Sequence, residues 1–303
     1  FHLFSYHFHI LIPISYSELD IILGMDAILL LNKPTGITSF DAVSRCRRIF
    51  HERKIGHSGT LDPNASGLLI LLLGRYTKFL PYCVHDHKHY HATFVFGQKT
   101  DSGDIWGNVI AEKQPQPHTP ESLQAAAHTF LGDGEQIPPM VSAIKQDGKK
   151  LYELARKGIE VERKPRPVHI SRMEIRLVED VWHLDAIVSG GTYIRTLITD
   201  LGETVGEYAA MSSLCRTGIE SITLEQACTL EALETAPAFV PPKLILDPSF
   251  PLVEASDPDA ILHGRSVRLD HPSNTVIFEK DNEILAAYQK QEDGRYHCQR
   301  GLL

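Results

Sequence analysis

Cysteine is scarce in this chain, with five in 303 residues, and Cys46, Cys83, Cys215, Cys228 and Cys298 form no C-x-x-C pair. That spacing indicates neither a zinc site nor a disulfide framework, and a reducing cytoplasm is the expected home. Long hydrophobic runs are missing as well. The run LLILLL at residues 68–73 is far too short to cross a bilayer, and its length suits a buried strand. No internal repeat or low-complexity tract occurs. Positive charge is also in deficit, 30 Lys and Arg against 38 Asp and Glu for a net charge of −8, which on its face disfavours a nucleic-acid partner.

The distribution of charge says otherwise. Residues 33–54 carry six basic groups against two acids, and residues 145–176 carry ten against five, whereas residues 244–303 reverse the balance to six against ten. Basic patches on an otherwise acidic protein are an electrostatic footprint for RNA, although solvated helix faces give similar local counts. The segment HDHKHYH tempts a metal reading, since alternation on a strand would put His85, His87, His89 and His91 on one face. Nothing nearby supplies a carboxylate at ligand spacing, so no metal and no cofactor is expected. Residues 1–24 are aromatic and His-rich but lack the basic start and small-residue cleavage site of a secretory signal. They are expected to be a non-native or disordered extension ahead of a native start at Met25.

Turn and period signals give a coarse order. DAILLLNKPTGITS reads as a strand entering a Pro-Gly turn. Thr38 then caps a helix with Asp41 at its third position and a stripe of Phe40, Val43, Cys46 and Phe50, with Arg45, Arg47 and Arg48 facing solvent. YHATFVFG and VWHLDAIVS alternate like half-buried strands, and TYIRTLITDLGETVG reads as a helix. A helix over 120–131 is expected from Thr119 as cap, Pro120 at the first position and Gly132 as stop. Residues 136–167 form a basic excursion, a loop or short hairpin and helix. APAFVPPK, residues 236–243, is the best linker, and short strand-like pieces follow it. Strands dominate without regular alternation with helices, so the expected class is α+β with a mixed, largely antiparallel sheet flanked by helices and loops.

One stretch carries chemistry. GHSGTLDPNASGLL, residues 56–69, holds a single carboxylate, Asp62, ahead of a proline that makes its backbone extended, with glycines that let a ligand approach. A nucleophilic carboxylate must be ionised, and a dry pocket opposes that unless a cation stands beside it. Arg195, just after Gly190 and Gly191, is the cation to pair with it. The duller reading is an Asx turn.

The run GHSGTLDPNASGLLILLLGRYTKF resembles the catalytic signature of the TruB family of RNA pseudouridine synthases, the tRNA pseudouridine-55 synthases. LLLNKPTGITS, KHYHATFVFGQKTDSGD, QIPPMVSAIKQDGKKLYELARKGIEVE and SGGTYIRTLITDLG resemble that family's other motifs, in the same order, over about residues 25–227. Ser58 and Gly190 depart from the family pattern, which leaves only fine loop geometry in doubt.

The resemblance implies a catalytic domain over 25–240, an RNA-gripping insertion at about 136–167 and a small β-rich PUA-like module over 244–303. It implies isomerisation of uridine in the T loop of tRNA, with Asp62, Tyr90 and Arg195 as the catalytic set. Tyr90 would stack on the base and is a candidate to take the C5 proton. Lys33, His57, Asp104, Tyr193 and Leu214 would bind substrate, and Arg45, Arg48, Lys54, Lys145, Lys149 and Arg156 would meet the RNA backbone. The partner implied is the T arm of tRNA, with no membrane, no protein partner and a monomeric state. Tyr90, Tyr193 and Leu214 would serve equally as ordinary core. A non-catalytic RNA binder or tRNA-folding chaperone on the same scaffold is the rival reading, and a two-carboxylate hydrolase would have to recruit Asp101 or Asp104.

Overall fold

The computed structural model describes residues 25–84, 86–142, 144–146, 148–281 and 283–301, with Lys145 and Lys150 described as backbone positions. The expected extension 1–24 and His85 of the histidine segment lie outside these residues.

The strands of the first half are β1 (Ala27–Lys33), β2 (Ile55–His57), β3 (Ser66–Leu73), β4 (Lys88–Phe96), β5 (Gln98–Thr100), β6 (Val109–Glu112) and β7 (Gly132–Gln136). The basic excursion holds β8 (Lys145–Gln146) and β9 (Lys149–Lys150), and then come β10 (Arg166–Val178), β11 (Val181–Val188), β12 (Ala209–Ile219), β13 (Ile222–Thr223) and β14 (Phe239–Val240). Helices α1 (Ser39–Ile49), α2 (Pro120–His128), α3 (Leu151–Ala155) and α4 (Ile194–Thr204) are interspersed. One sheet runs in the order β14-β1-β3-β12-β4-β11-β10-β7, with β2 added beside β3 and β13 beside β12. Its pairings are antiparallel except β3 with β12, which meet in parallel at Ser66↔Cys215 and Gly67↔Arg216. The mixed, largely antiparallel α+β sheet expected from the sequence is what forms.

Two apolar layers explain the unbroken run in β3. Leu69, Leu71 and Leu73 face one cluster with Leu29, Leu31, Val43 and Cys46, while Leu68, Ile70 and Leu72 face another with Ile28, Leu30 and Phe79. A strand buried on both faces has no polar position to alternate with. The second cluster also contains Ile277, Ile284 and Ala287. Those residues belong to a four-stranded sheet ordered β15 (Leu252–Glu254), β16 (Thr275–Lys280), β17 (Glu283–Lys290) and β18 (Tyr296–Gly301), with the short α5 (Pro258–Leu262) beside β17.

Several local expectations are corrected. Thr38 and Asp41 do form the capping box of α1, but its buried stripe is Ser39, Ala42, Val43 and Cys46. Phe40 is 64% exposed and lies under the Arg47 guanidinium at 5.6 Å. Arg47 is turned inward, donating to the Ile55 carbonyl at 3.4 Å, because the helix meets β2 on that side. The helix after Thr119 ends at His128, three residues early, and Gly132 at φ +92° opens β7 instead. The expected linker is an edge strand, since Val240 and Phe239 pair with Ile28 and Leu29 and are buried. β4 begins at Lys88, so His87, at φ +41°, does not share the face of His89 and His91.

Gly67, at φ +109°, is hemmed in by backbone, and a Cβ there would stand 2.3 Å from the Arg216 carbonyl oxygen. Gly67→Ala is expected to cost roughly 2–4 kcal/mol in urea unfolding, combining left-handed strain with a backbone clash. Gly134→Ala, with nothing within 4 Å of its Cβ, is expected to stay within about 1 kcal/mol of the parent.

Candidate active site

Residues 58–65 connect β2 to β3, and the backbone on either side of Asp62 is bonded from below. Leu61 donates its N–H to Ser39 Oγ at 2.9 Å, and the same hydroxyl donates to the Leu61 carbonyl at 3.1 Å. The Pro63 carbonyl accepts from the Gly36 N–H at 2.9 Å and from Lys33 Nζ at 3.3 Å. With both neighbours fixed, the Asp62 side chain has a set direction, and among the described residues no backbone N–H is bonded to it. It is not spent on an Asx turn.

That side chain meets Arg195, whose Nη2 lies 3.0 Å from Asp62 Oδ2. The guanidinium is 2% exposed and donates through Nη1 to the Ser102 carbonyl at 2.7 Å and through Nη2 to the Val141 carbonyl at 2.8 Å. Arg195 stands in the first turn of α4, and that turn is fastened by Gln136, which accepts from the Tyr193 N–H at 2.8 Å and donates to the Tyr193 carbonyl at 3.1 Å. Asp62, by contrast, is 41% exposed. It stands beside a cleft of about 290 Å³ whose lining includes Tyr90, Tyr193, Arg195, Leu214, Ile144 and Lys88. Burial pushes the Tyr193 phenol above its ordinary value, and the Asp62 charge adds to that.

Three expected substrate contacts stand elsewhere. Lys33 is fully buried and donates to the Pro34, Ile37 and Pro63 carbonyls, so it clamps the first motif to the residue after Asp62 rather than facing the cleft. Burial lowers its ammonium to about 8, with Asp62 pulling it back up. Asp104 is behind Arg195, its Oδ2 3.8 Å from Nε and its Oδ1 accepting from Ser102 Oγ at 2.7 Å and the Trp106 N–H at 3.1 Å. His57 lies outside the cleft lining, held below the ordinary histidine range by burial and then by the Arg216 charge. Of the expected backbone contacts, Arg45, Arg48, Lys54, Lys149 and Arg156 are exposed, with Arg156 lying 5.4 Å over the Tyr152 ring. Lys145 is described as a backbone position in β8.

Two described histidines of the HDHKHYH segment, His87 and His91, have separate partners. His87 meets Glu220 at 2.9 Å, and His91 meets Asp185 at 2.8 Å and His183 at 3.2 Å. Among the described residues no three His, Cys, Asp or Glu converge as a metal site.

Residues 47–194 match the model of the N-terminal domain of TruB family pseudouridylate synthases. A protein called tRNA pseudouridine synthase B from Bordetella avium (strain 197N) is 45% identical over 227 residues, 73% of this chain and 91% of that one. The chain belongs to the TruB family. It is an enzyme, an isomerase of the pseudouridine synthase kind. The protein of the same name from Azoarcus sp. (strain BH72) is 44% identical over 252 residues, covering 80% of this chain and 84% of that one. In fold, the chain matches one chain of a solved Cbf5-Nop10-Gar1 complex with a TM-score of 0.66 at 21% identity, over 94% of this chain and 87% of that one.

Sequence reasoning missed the groups that hold this site up. Ser39, Gln136, Ser102 and Arg216 all act through backbone carbonyls or amides, and a single sequence carries no local mark for such contacts. Ser39, Ser102 and Gln136 stand inside the family-like motifs LLLNKPTGITS, KHYHATFVFGQKTDSGD and QIPPMVSAIKQDGKKLYELARKGIEVE, which is the signal that could have found them.

Lys33 supplies a test of the clamp. Its folded-state value of about 8 is below the ordinary 10.5, so between those values the unfolded chain binds the proton that the folded chain releases. Stability then rises with pH. Relative to Lys33→Met, the parent is expected to gain about 2–3 kcal/mol from pH 8 to pH 10. Urea unfolding of both proteins across that range checks it, and a pH-independent difference would refute the buried cation.

Proposed function

We propose that the chain converts uridine to pseudouridine in the T loop of tRNA, at position 55, in the cytoplasm. The observation that carries this reading is the Asp62 side chain, 3.0 Å from a buried guanidinium, beside a cleft walled by Tyr90 and Leu214. The name of the 45% identical Bordetella avium relative supports tRNA as the substrate.

The reaction breaks the N1–C1′ bond, turns the uracil and forms a C5–C1′ bond; the C5 proton leaves and N1 takes one up. No electron acceptor or external group is consumed. Asp62 starts it from the carboxylate form, by attack at C1′ or C6 or by withdrawing the ribose 2′ proton. Arg195 pairs with that carboxylate and aims it, and Tyr90 stacks on the base, receiving the C5 proton as the phenolate formed when its own proton passes to N1. A base stacked in a loop must first be extruded, at a cost of a few kcal/mol. Phosphate contacts from the exposed Arg45, Arg48, Lys54, Lys149 and Arg156 offset that cost.

The PUA-like module over 244–303 has its first role in support, since its Ile277, Ile284 and Ala287 share an apolar cluster with Ile28 and Leu30 of the catalytic sheet. Holding the acceptor end of the tRNA is its second.

Tritium release from C5-labelled uridine in an unmodified tRNA transcript tests the chemistry. Asp62→Asn is expected to slow release by at least about 10³-fold while the RNA still binds. Equal release by both proteins would remove Asp62 from the mechanism, and no release by the parent would remove the function. Raising salt from 50 to 200 mM is expected to weaken tRNA affinity by at least about 10-fold, measured by filter binding.

A further inference from the structure

The cleft holds a second charged group that the aspartate chemistry does not use. Lys88 opens β4 and, two residues before Tyr90, shares its face of the sheet. It lines the same cleft as Asp62, Tyr90 and Arg195. Its Nζ and the Nη1 of Arg216 each lie 3.5 Å from the point where a Cβ on Gly59 would stand, so two cations converge on the bare glycine of the GTLDP loop.

Arg216 is 1% exposed and fixed by its other nitrogens, Nε donating to the Leu68 carbonyl at 2.8 Å and Nη2 to the Gly59 carbonyl at 3.1 Å. Among the described residues neither cation has a carboxylate within ion-pair distance. Burial and then the Arg216 charge lower the Lys88 ammonium to about 8, and Asp86 opposes this less strongly. Two partly desolvated like charges side by side are an energetic cost unless an anion joins them. The substrate is the source of that anion. A uracil ring is neutral until its glycosidic bond breaks, whereas a phosphodiester is negative on arrival and offers two acceptor oxygens.

We propose that Lys88, backed by Arg216, binds a backbone phosphate flanking the extruded uridine. This rests on the function proposed above. Two charged pairs then serve the cleft: Asp62 with Arg195 acts on the ribose and base, and Lys88 with Arg216 holds the phosphate, while Tyr90 lines the same cleft. The phosphate contact fixes how far the nucleotide enters, which sets C1′ against the carboxylate. Lys88 is in this sense a substrate-contact residue that also discriminates an extruded nucleotide from a free base.

The test combines protein and RNA changes, using the full chain with tRNA transcripts and T-arm RNAs. Lys88→Met is expected to weaken RNA affinity about tenfold and to lower the slope of log affinity against log salt by about 0.7, as for one single-strand phosphate contact. Lys88→Arg is expected to recover most of both. An uncharged methylphosphonate placed 5′ or 3′ to the target uridine should weaken the parent about tenfold at one of the two positions and leave Lys88→Met almost unaffected. Unchanged affinity and salt slope in Lys88→Met overturn the proposal. So do losses that multiply when both changes are combined, or a parent protein indifferent to the neutral linkage at both positions. The RNA-side change is made on the parent protein, so the result stands even where a Lys88 variant folds poorly. A parent that binds with this signature but releases no tritium would instead sink the function while leaving the phosphate contact in place.

Discussion

A guanidinium that water cannot reach must have its charge and its donors satisfied by the protein, and Arg195 sets the terms for the whole site. Two carbonyls fix its position, Ser102 from the hairpin side and Val141 from the insertion, and what remains of its charge is turned on Asp62. The pair is asymmetric. Arg195 is buried, Asp62 is partly open to solvent, and the attraction between them is therefore screened on one side only. The expectation of a water-poor carboxylate is corrected to this extent: in the free protein the arginine is dry and the aspartate is not. An entering nucleotide would complete the exclusion of water, and the attraction would strengthen at the moment it is needed.

The same device recurs around the cleft. Lys33, Arg195 and Arg216 are all buried cations that donate to backbone carbonyls, and together they fasten loop residues 34, 37, 59, 63, 102 and 141 and residue 68 of β3. A cation satisfied by carbonyl dipoles keeps its net charge, whereas one satisfied by a carboxylate does not. The loops around Asp62 are thus cross-linked by the same three side chains, and the charge of Arg195 is met by Asp62 and Asp104 while Lys33 and Arg216 leave the surroundings electropositive. That is a suitable interior for an enzyme whose working group is an anion and whose substrate is a polyanion.

Rigidity behind the loops comes from the sheet. β1 and β3 are buried on both faces, one in the cluster that holds Val43 and Cys46 of α1 and the other in the cluster that holds Ile277, Ile284 and Ala287 of the C-terminal strands. The module over 252–301 therefore packs on the strand that leads out of the Asp62 loop, one face away from the chemistry. The parallel contact between β3 and β12 brings Gly67 against Arg216, and only glycine fits there. Loop, strand and buried cation are held in one register by that close approach.

What the sequence by itself determined is mostly local. The Thr38 and Asp41 box, Pro120 after Thr119 and the alternation of β11 all follow from neighbours within a few residues. The need of a carboxylate for a cation pointed to Arg195, and the resemblance to the family's ordered motifs agreed with that pairing and added the walls Tyr90, Tyr193 and Leu214, which do share one cleft. Tertiary structure decided the rest. Whether Lys33 faces substrate or three carbonyls depends on how the first motif folds under residue 63, and whether Asp104 lines the cleft or backs an arginine depends on where α4 docks. Phe40 looks apolar in sequence and is exposed because α1 presents Ala42 and Cys46 to the core instead. Composition marks what a side chain prefers; only the register of distant strands fixes which partner is close enough to satisfy it.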